Sequence, residues 1–195
     1  MHQAAAPVLW YPRRDARVAC VGRLVRYKQI DVLLRAMAKL SERFPEARLD
    51  VIGQGADRER LEQVAARVGV AGRTRFVGFV SDEERDRLLA SARVCVCPST
   101  KEGWGLTVIE AAALGTPVVA TDAPGLRDSV EDQKTGFLVA DGDIGAFADR
   151  IGELLSDDAL GCRMSPAALA WSRRFDWDRA ADQMARSLEA VRRPA

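Results

Sequence analysis

The sequence predicts an α/β fold built on a doubly wound parallel sheet of about six strands, followed by C-terminal helices. Three observations carry that expectation. Between Arg17 and Val139, short β-rich runs alternate with stretches of helical period. The runs are apolar at nearly every position, as strands covered on both faces require. Past Val139 only helical pattern remains. Right-handed crossovers make such a sheet Rossmann-like, and its ligands bind beyond the carboxyl ends of the strands.

The chain has 195 residues, 48% apolar and 29% charged, which suits one large domain with its own core. Lys and Arg total 29 against 28 Asp and Glu, and a net charge of +1 argues against general nucleic-acid or membrane-surface binding. No apolar run approaches the roughly 18 residues of a membrane span, and the start lacks a signal-peptide core. Cys20, Cys95, Cys97 and Cys162 lie in apolar surroundings without zinc-ligand spacing, pointing to reduced thiols and a cytoplasmic protein. His2 is the only histidine, which removes Ser-His-Asp triads, Cys-His pairs and histidine-held metals.

Residues 1–16 read as a proline-punctuated lead-in and residues 17–195 as the domain. Arg17–Val21 opens the sheet. A helix over Val32–Phe44 follows, with Leu33, Met37, Leu40 and Phe44 on one face and Asp31 placed to cap it. The next strand, Arg48–Ile52, runs into Gly53-Gln54-Gly55. Arg58 stands where a dinucleotide fingerprint needs its third small residue, so a tight turn into the helix Arg58–Val68 explains these glycines equally well. After the strand Thr74–Val77, Gly78-Phe79-Val80 forms a turn whose backbone either faces a base or only connects elements. Ser81 is placed to cap the helix Asp82–Ser91. Val94–Cys97, the helix Leu106–Leu114, Pro117–Ala120 and Gly136–Val139 complete the alternation. Helices Ile144–Leu155, Ala159–Arg173 and Trp177–Val191 close the chain. Asp141-Gly142-Asp143 reads as a turn and cap for the first of these rather than a metal pair. In the last, Trp177, Ala181, Met184, Leu188 and Val191 form an apolar stripe suited to core or interdomain packing.

Two post-strand loops carry chemistry. After the first strand, Arg23 and Lys28 beside Gly22 suit a diphosphate; with Arg13, Arg14, Arg17 and Arg26 nearby, a solvated basic loop is the alternative. After the fourth strand, Gly103-Trp104-Gly105 leads into a helix at Leu106, presenting free amides at a positive helix end. Glu102 precedes that end and Glu110 lies about one turn inside, so both carboxylates can border one cleft and accept hydrogen bonds from sugar hydroxyls. Glu110 stands among Val108, Ile109, Ala111, Ala112, Ala113 and Leu114, where a lone carboxylate needs a partner or a ligand.

Gly22-Arg23-Leu24 with Lys28, Arg75-Phe76-Val77-Gly78-Phe79-Val80, and Pro98-Ser99 through Glu102-Gly103-Trp104-Gly105-Leu106 form an ordered set of motifs. The set continues through Glu110-Ala111 to Gly115-Thr116-Pro117-Val118-Val119-Ala120. From Val18 to about Val191 the chain resembles the C-terminal domain of retaining glycosyltransferase family 4, one half of a GT-B fold, with the family's Glu-x7-Glu pair as Glu102 and Glu110. The resemblance implies donor binding for transfer of a hexosyl unit from a nucleoside-diphosphate sugar, UDP- or GDP-linked, with retention and without metal or other cofactor. It implies catalytic roles for Arg23, Lys28 and Glu102, with the two cations on the diphosphate. Gly22, Gly78 and Phe79 would meet the donor, the backbone around Phe79 at the base. Glu102 and the amides of Gly103, Trp104 and Gly105 would hold the sugar, those of Leu106 and Thr107 the phosphate, and Glu110 the ribose.

Gln29 and Pro124-Gly125-Leu126-Arg127-Asp128 depart from the family pattern, which has glycine after the lysine and Gly-Gly before a glutamate. The N-terminal acceptor half is missing, so the chain alone is expected to be inactive. Membrane association is expected only through that half or the acceptor, at the cytoplasmic face. A non-catalytic nucleotide-sugar module and a GT-B epimerase are the alternatives. A glycosidase fits less well, because its carboxylates must flank a sugar cleft. Base, sugar, acceptor and oligomeric state are not encoded in these motifs.

Overall fold

The computed structural model describes residue 11 and residues 14–192, the side chains of 177 and 190–192 excepted. Six strands form one sheet: β1 (Asp15–Val21), β2 (Arg48–Ile52), β3 (Thr74–Gly78), β4 (Ala92–Cys97), β5 (Val118–Thr121) and β6 (Gly136–Val139). Their order is β3-β2-β1-β4-β5-β6, and every neighbouring pair is parallel. The chain builds outward from β1 to β3, then returns to the other side of β1 at β4. This reversal opens a crevice beyond the carboxyl ends of β1 and β4, where doubly wound sheets bind ligands.

Alternate residues along the central strands feed two cores. Val18, Cys20, Val94 and Val96 face one cluster; Ala19, Cys95 and Cys97 face the other. On the first side lie α1 (Ile30–Leu40), α2 (Arg58–Arg67) and α6 (Ile144–Ser156), with Leu33, Met37, Phe147 and Ile151 fully buried. On the second lie α3 (Asp82–Ser91), α4 (Leu106–Ala113) and the short α5 (Leu126–Ser129), which the periodicity does not predict. Helix α7 (Asp158–Ser172) packs against α4, and α8 (Trp177–Arg192) follows it.

Ser81 accepts from the Glu84 amide at 3.3 Å and Asp143 from the Ala146 amide at 2.9 Å, so both expected caps are present. Asp31 is not a cap. Helix α1 starts at Ile30 because Gln29 turns the chain in a left-handed conformation (φ 45°), which leaves Asp31 in the first turn, 3.3 Å from Arg60. The helix ends at Leu40, and residues 41–43 form a turn.

The lead-in also needs correction. Strand β1 begins at Asp15, and Tyr11 and Arg14 are buried. Tyr11 Oη donates to the Leu154 carbonyl at 2.8 Å, and Arg14 Nη2 to that of Leu114 at 3.0 Å. Burial lowers the Arg14 guanidinium to about 10, still charged at neutral pH. A second buried charge, Asp50 on β2, is 1% exposed and accepts from Arg17 at 2.9 Å and Arg75 at 2.8 Å.

The described part of the α8 stripe is not core. Ala181 is exposed, and Met184 and Leu188 are 62% and 63% exposed; the side chains of Trp177 and Val191 lie outside the description. Among the described residues no helix is long and apolar enough to cross a membrane.

Candidate functional site

The loop after β1 is held down by the loop after β2. A Cβ at Gly53 would stand 2.0 Å from the Gly22 carbonyl oxygen, and one at Gly55 2.3 Å from that of Leu24. Only glycine permits that approach. The parallel ladder therefore continues past the strand ends, with the Gly22 amide on Ile52 (2.9 Å) and the Leu24 amide on Gln54 (3.0 Å). Gly53-Gln54-Gly55 is thus a packing device.

Thr100, after β4, donates its amide to the Tyr27 carbonyl at 2.9 Å and ties the two central loops together. Gln29 adds a second tie: with its amide nitrogen turned toward them, it reaches Pro98 O at 3.1 Å and Asp141 Oδ1 at 3.0 Å.

These ties bring Lys28 to Glu102. Nζ lies 2.5 Å from Oε1, with the two side chains 15% and 16% exposed. Burial opposes the lysine's charge, but the hydrogen bond and charge of Glu102 outweigh it, so the Lys28 pKa is raised. The buried Cys97 thiol lies 3.8 Å from the same Glu102 oxygen. Burial pushes that thiol up, so it is neutral at physiological pH. Arg23 stays at the exposed side of the loop and donates to Tyr27 Oη at 3.0 Å.

Helix α4 follows Gly105, which sits at a φ of 83° and where a Cβ would stand 2.6 Å from Ser129 Oγ, so no side chain fits there. Its first-turn amides, Leu106 and Thr107, have no intrahelical acceptor. Gly125, also at positive φ (81°), lets the β5–α5 loop lie on the Glu102 backbone, where a Cβ would meet the carbonyl oxygen at 2.4 Å. The 124–128 departure therefore still packs directly under the site. Gly103 has open space around it.

Further along α4, Glu110 Oε1 lies 3.2 Å from Arg85 Nη1. Arg85 was not legible in the sequence: it is one of several charges opening α3, and nothing local distinguishes it. At the outer strand, Gly78 accepts from the Gly53 amide at 2.8 Å, and Phe79 stands exposed.

Trp104 leaves the site sideways. It packs edge-on against Phe175 (4.9 Å between centroids), which in turn meets Trp171 (5.2 Å). Beside them is a cavity of about 460 Å³ lined by Trp104, Leu106, Ile109, Trp171, Phe175 and α8 residues. None of Arg23, Lys28, Glu102 and Glu110 lines it. The charged groups border the open crevice at the strand-order reversal, and topology and chemistry both favour that crevice as the site.

The chain matches the family described as glycosyl transferases group 1 over residues 11–171. It is 38% identical to a D-inositol 3-phosphate glycosyltransferase of Corynebacterium urealyticum, over 92% of this chain and 44% of that protein. With the enzyme of the same name from Streptomyces avermitilis it shares 40%, over 84% and 37%. Among solved structures, sucrose-phosphate synthase from Thermosynechococcus elongatus superposes with a TM-score of 0.83 at 33% identity, covering 91% of this chain and 45% of that one. Anabaena Alr3699/HepE, in complex with UDP and glucose, gives 0.82 at 28%, covering 90% and 48%. The chain thus spans less than half the length of each of these proteins.

Proposed function

The chain belongs to the glycosyl transferases group 1 family, its fold being one Rossmann-like half of the GT-B architecture, and on that premise we propose that it binds the donor of a retaining hexosyltransferase. The observation that carries the reading is the Lys28–Glu102 contact, which joins a diphosphate-type cation and a hydroxyl-accepting carboxylate beside the α4 N-terminus. Lys28, Arg23 and the amides of Leu106 and Thr107 stabilise the departing nucleoside diphosphate, and these fixed charges need no reorganisation as the bond breaks. Glu102 with the amides of Gly103, Trp104 and Gly105 holds the sugar, Glu110 the ribose, and the backbone from Gly22 and from Gly78-Phe79 the rest of the donor. The named relatives support a sugar nucleotide, and HepE with UDP supports a uridine donor over a guanosine one. Charge at the diphosphate comes from Arg23 and Lys28, so the reading is metal-independent. Asp143 is engaged as a cap, and Asp141 accepts from Gln29. The free, buried thiols of Cys20, Cys95 and Cys97 suit a reducing, cytoplasmic compartment.

Thermal scans with UDP, GDP and ADP, with and without attached sugar, test the binding reading. A ligand at 100 times its dissociation constant adds about 2.7 kcal/mol, a rise in Tm of roughly 5–11 °C for a chain of this size. Chelator should leave that rise unchanged. No shift with any nucleotide at millimolar concentration refutes the proposal.

The two carboxylates should separate by ligand. Glu110→Gln weakens nucleoside diphosphate and nucleotide sugar alike, roughly ten- to hundredfold for a hydrogen bond to a charged group. Glu102→Gln weakens only the nucleotide sugar to that extent, because its assigned partner is the sugar ring, which the nucleoside diphosphate lacks. Equal losses on both ligands for Glu102→Gln, read by calorimetry, contradict its assignment to the sugar.

A further inference from the structure

We propose that Arg85 is a positioning residue that sets the Glu110 carboxylate for the ribose diol, making the chain discriminate ribonucleotides from deoxyribonucleotides; this rests on the reading of Glu110 as the ribose partner.

Arg85 lies in the first turn of α3, where Asp82 is 73% exposed, yet its own side chain is only 17% exposed. Its own helix fixes the guanidinium. Nε and Nη2 both donate to Asp86 Oδ1, at 3.0 and 2.8 Å, and Nη1 donates to Asp82 Oδ1 at 2.9 Å. A planar fork pinned at both edges has little rotational freedom left. The same Nη1 reaches across to α4 and meets Glu110 Oε1 at 3.2 Å.

The carboxylate is therefore oriented by a cation that is itself held in place. An ionised carboxylate has about four acceptor positions, so a cation on one oxygen is compatible with a ligand offering two hydroxyls. Removing Arg85 would leave the acids of α3 near Glu110 without the cation between them and would take away the Arg85 contact that helps orient the glutamate. Both effects cost affinity only through hydroxyls that Glu110 receives. A role confined to joining α3 to α4 would instead change stability and leave ligand discrimination alone.

The test is calorimetry on the 195-residue chain with UDP, GDP and ADP and the 2′-deoxy and 3′-deoxy form of whichever binds tightest. Arg85→Leu should lower the ribo-to-deoxy affinity ratio about fivefold, the upper end for a partly exposed ion pair. Arg85→Lys, which keeps charge without the fork, should lie between. Glu110→Gln should bring the ratio close to one, and adding Arg85→Leu to it should cost nothing more. An unchanged ratio in Arg85→Leu, with the ratio lost in Glu110→Gln, overturns the inference and leaves the ribose reading standing. An unchanged ratio in Glu110→Gln, or no binding of any nucleotide, overturns both. Should Arg85→Leu fail to fold by near-ultraviolet circular dichroism, Arg85→Gln and Arg85→Lys are judged by the same ratio.

Discussion

Assayed alone, the 195-residue chain should transfer no measurable sugar while still binding donor, and turnover should return when the N-terminal half of a related enzyme is supplied in trans. The chain spans 44% of the Corynebacterium relative, and on the proposed donor-binding reading it supplies one wall of a cleft that holds two substrates together. Such positioning contributes about 7–11 kcal/mol to a bimolecular transfer, which is five orders of magnitude or more in rate. The exposed Met184 and Leu188 on α8 add a second expectation: without a covering half, this apolar stripe favours self-association. Radiolabelled-sugar transfer with and without the second half is the measurement. Robust turnover by the chain alone would overturn the half-enzyme reading.

Loss of both cations around Asp50 should produce the largest stability change. The carboxylate is buried in mid-sheet, and Arg17 and Arg75 reach it from the neighbouring strands. Either arginine alone can serve it, so each single alanine variant should cost little. The double variant Arg17→Ala/Arg75→Ala strands a buried charge, at about 3–5 kcal/mol. That is a Tm lower by roughly 6–20 °C for a chain of this size. Adding Asp50→Leu to the double variant should recover most of the loss, because the uncompensated charge is then gone. A double variant melting within about 2 °C of the parent, the shift expected from under 1 kcal/mol, would show that water reaches Asp50.

Strand existence and the glycine-led start of α4 were legible because each depends on nearby residues. Burial on both faces writes an apolar run, and a helix start after a strand needs Gly105 and its neighbours in sequence. The two expected caps, Ser81 and Asp143, were legible for the same reason: a cap acts three residues away. The start of α1 was not. Gln29 takes its left-handed turn where the loop is tied to Pro98 and Asp141, residues that no local window contains. Tyr11 and Arg14 looked like tail for the same reason, since their partners are carbonyls of Leu154 and Leu114.

What the sequence by itself determined is the alternation, the apolar faces and which residue types follow each strand, all set by burial and backbone chemistry over a few residues. What only the tertiary structure decided is which charges meet. Lys28 and Glu102 are 74 residues apart and touch because the strand order places β4 beside β1. Glu110 meets Arg85 because α3 and α4 pack on one face of that sheet. Ion pairs form wherever topology brings charged side chains within a few ångströms, and periodicity along the chain carries no record of that distance.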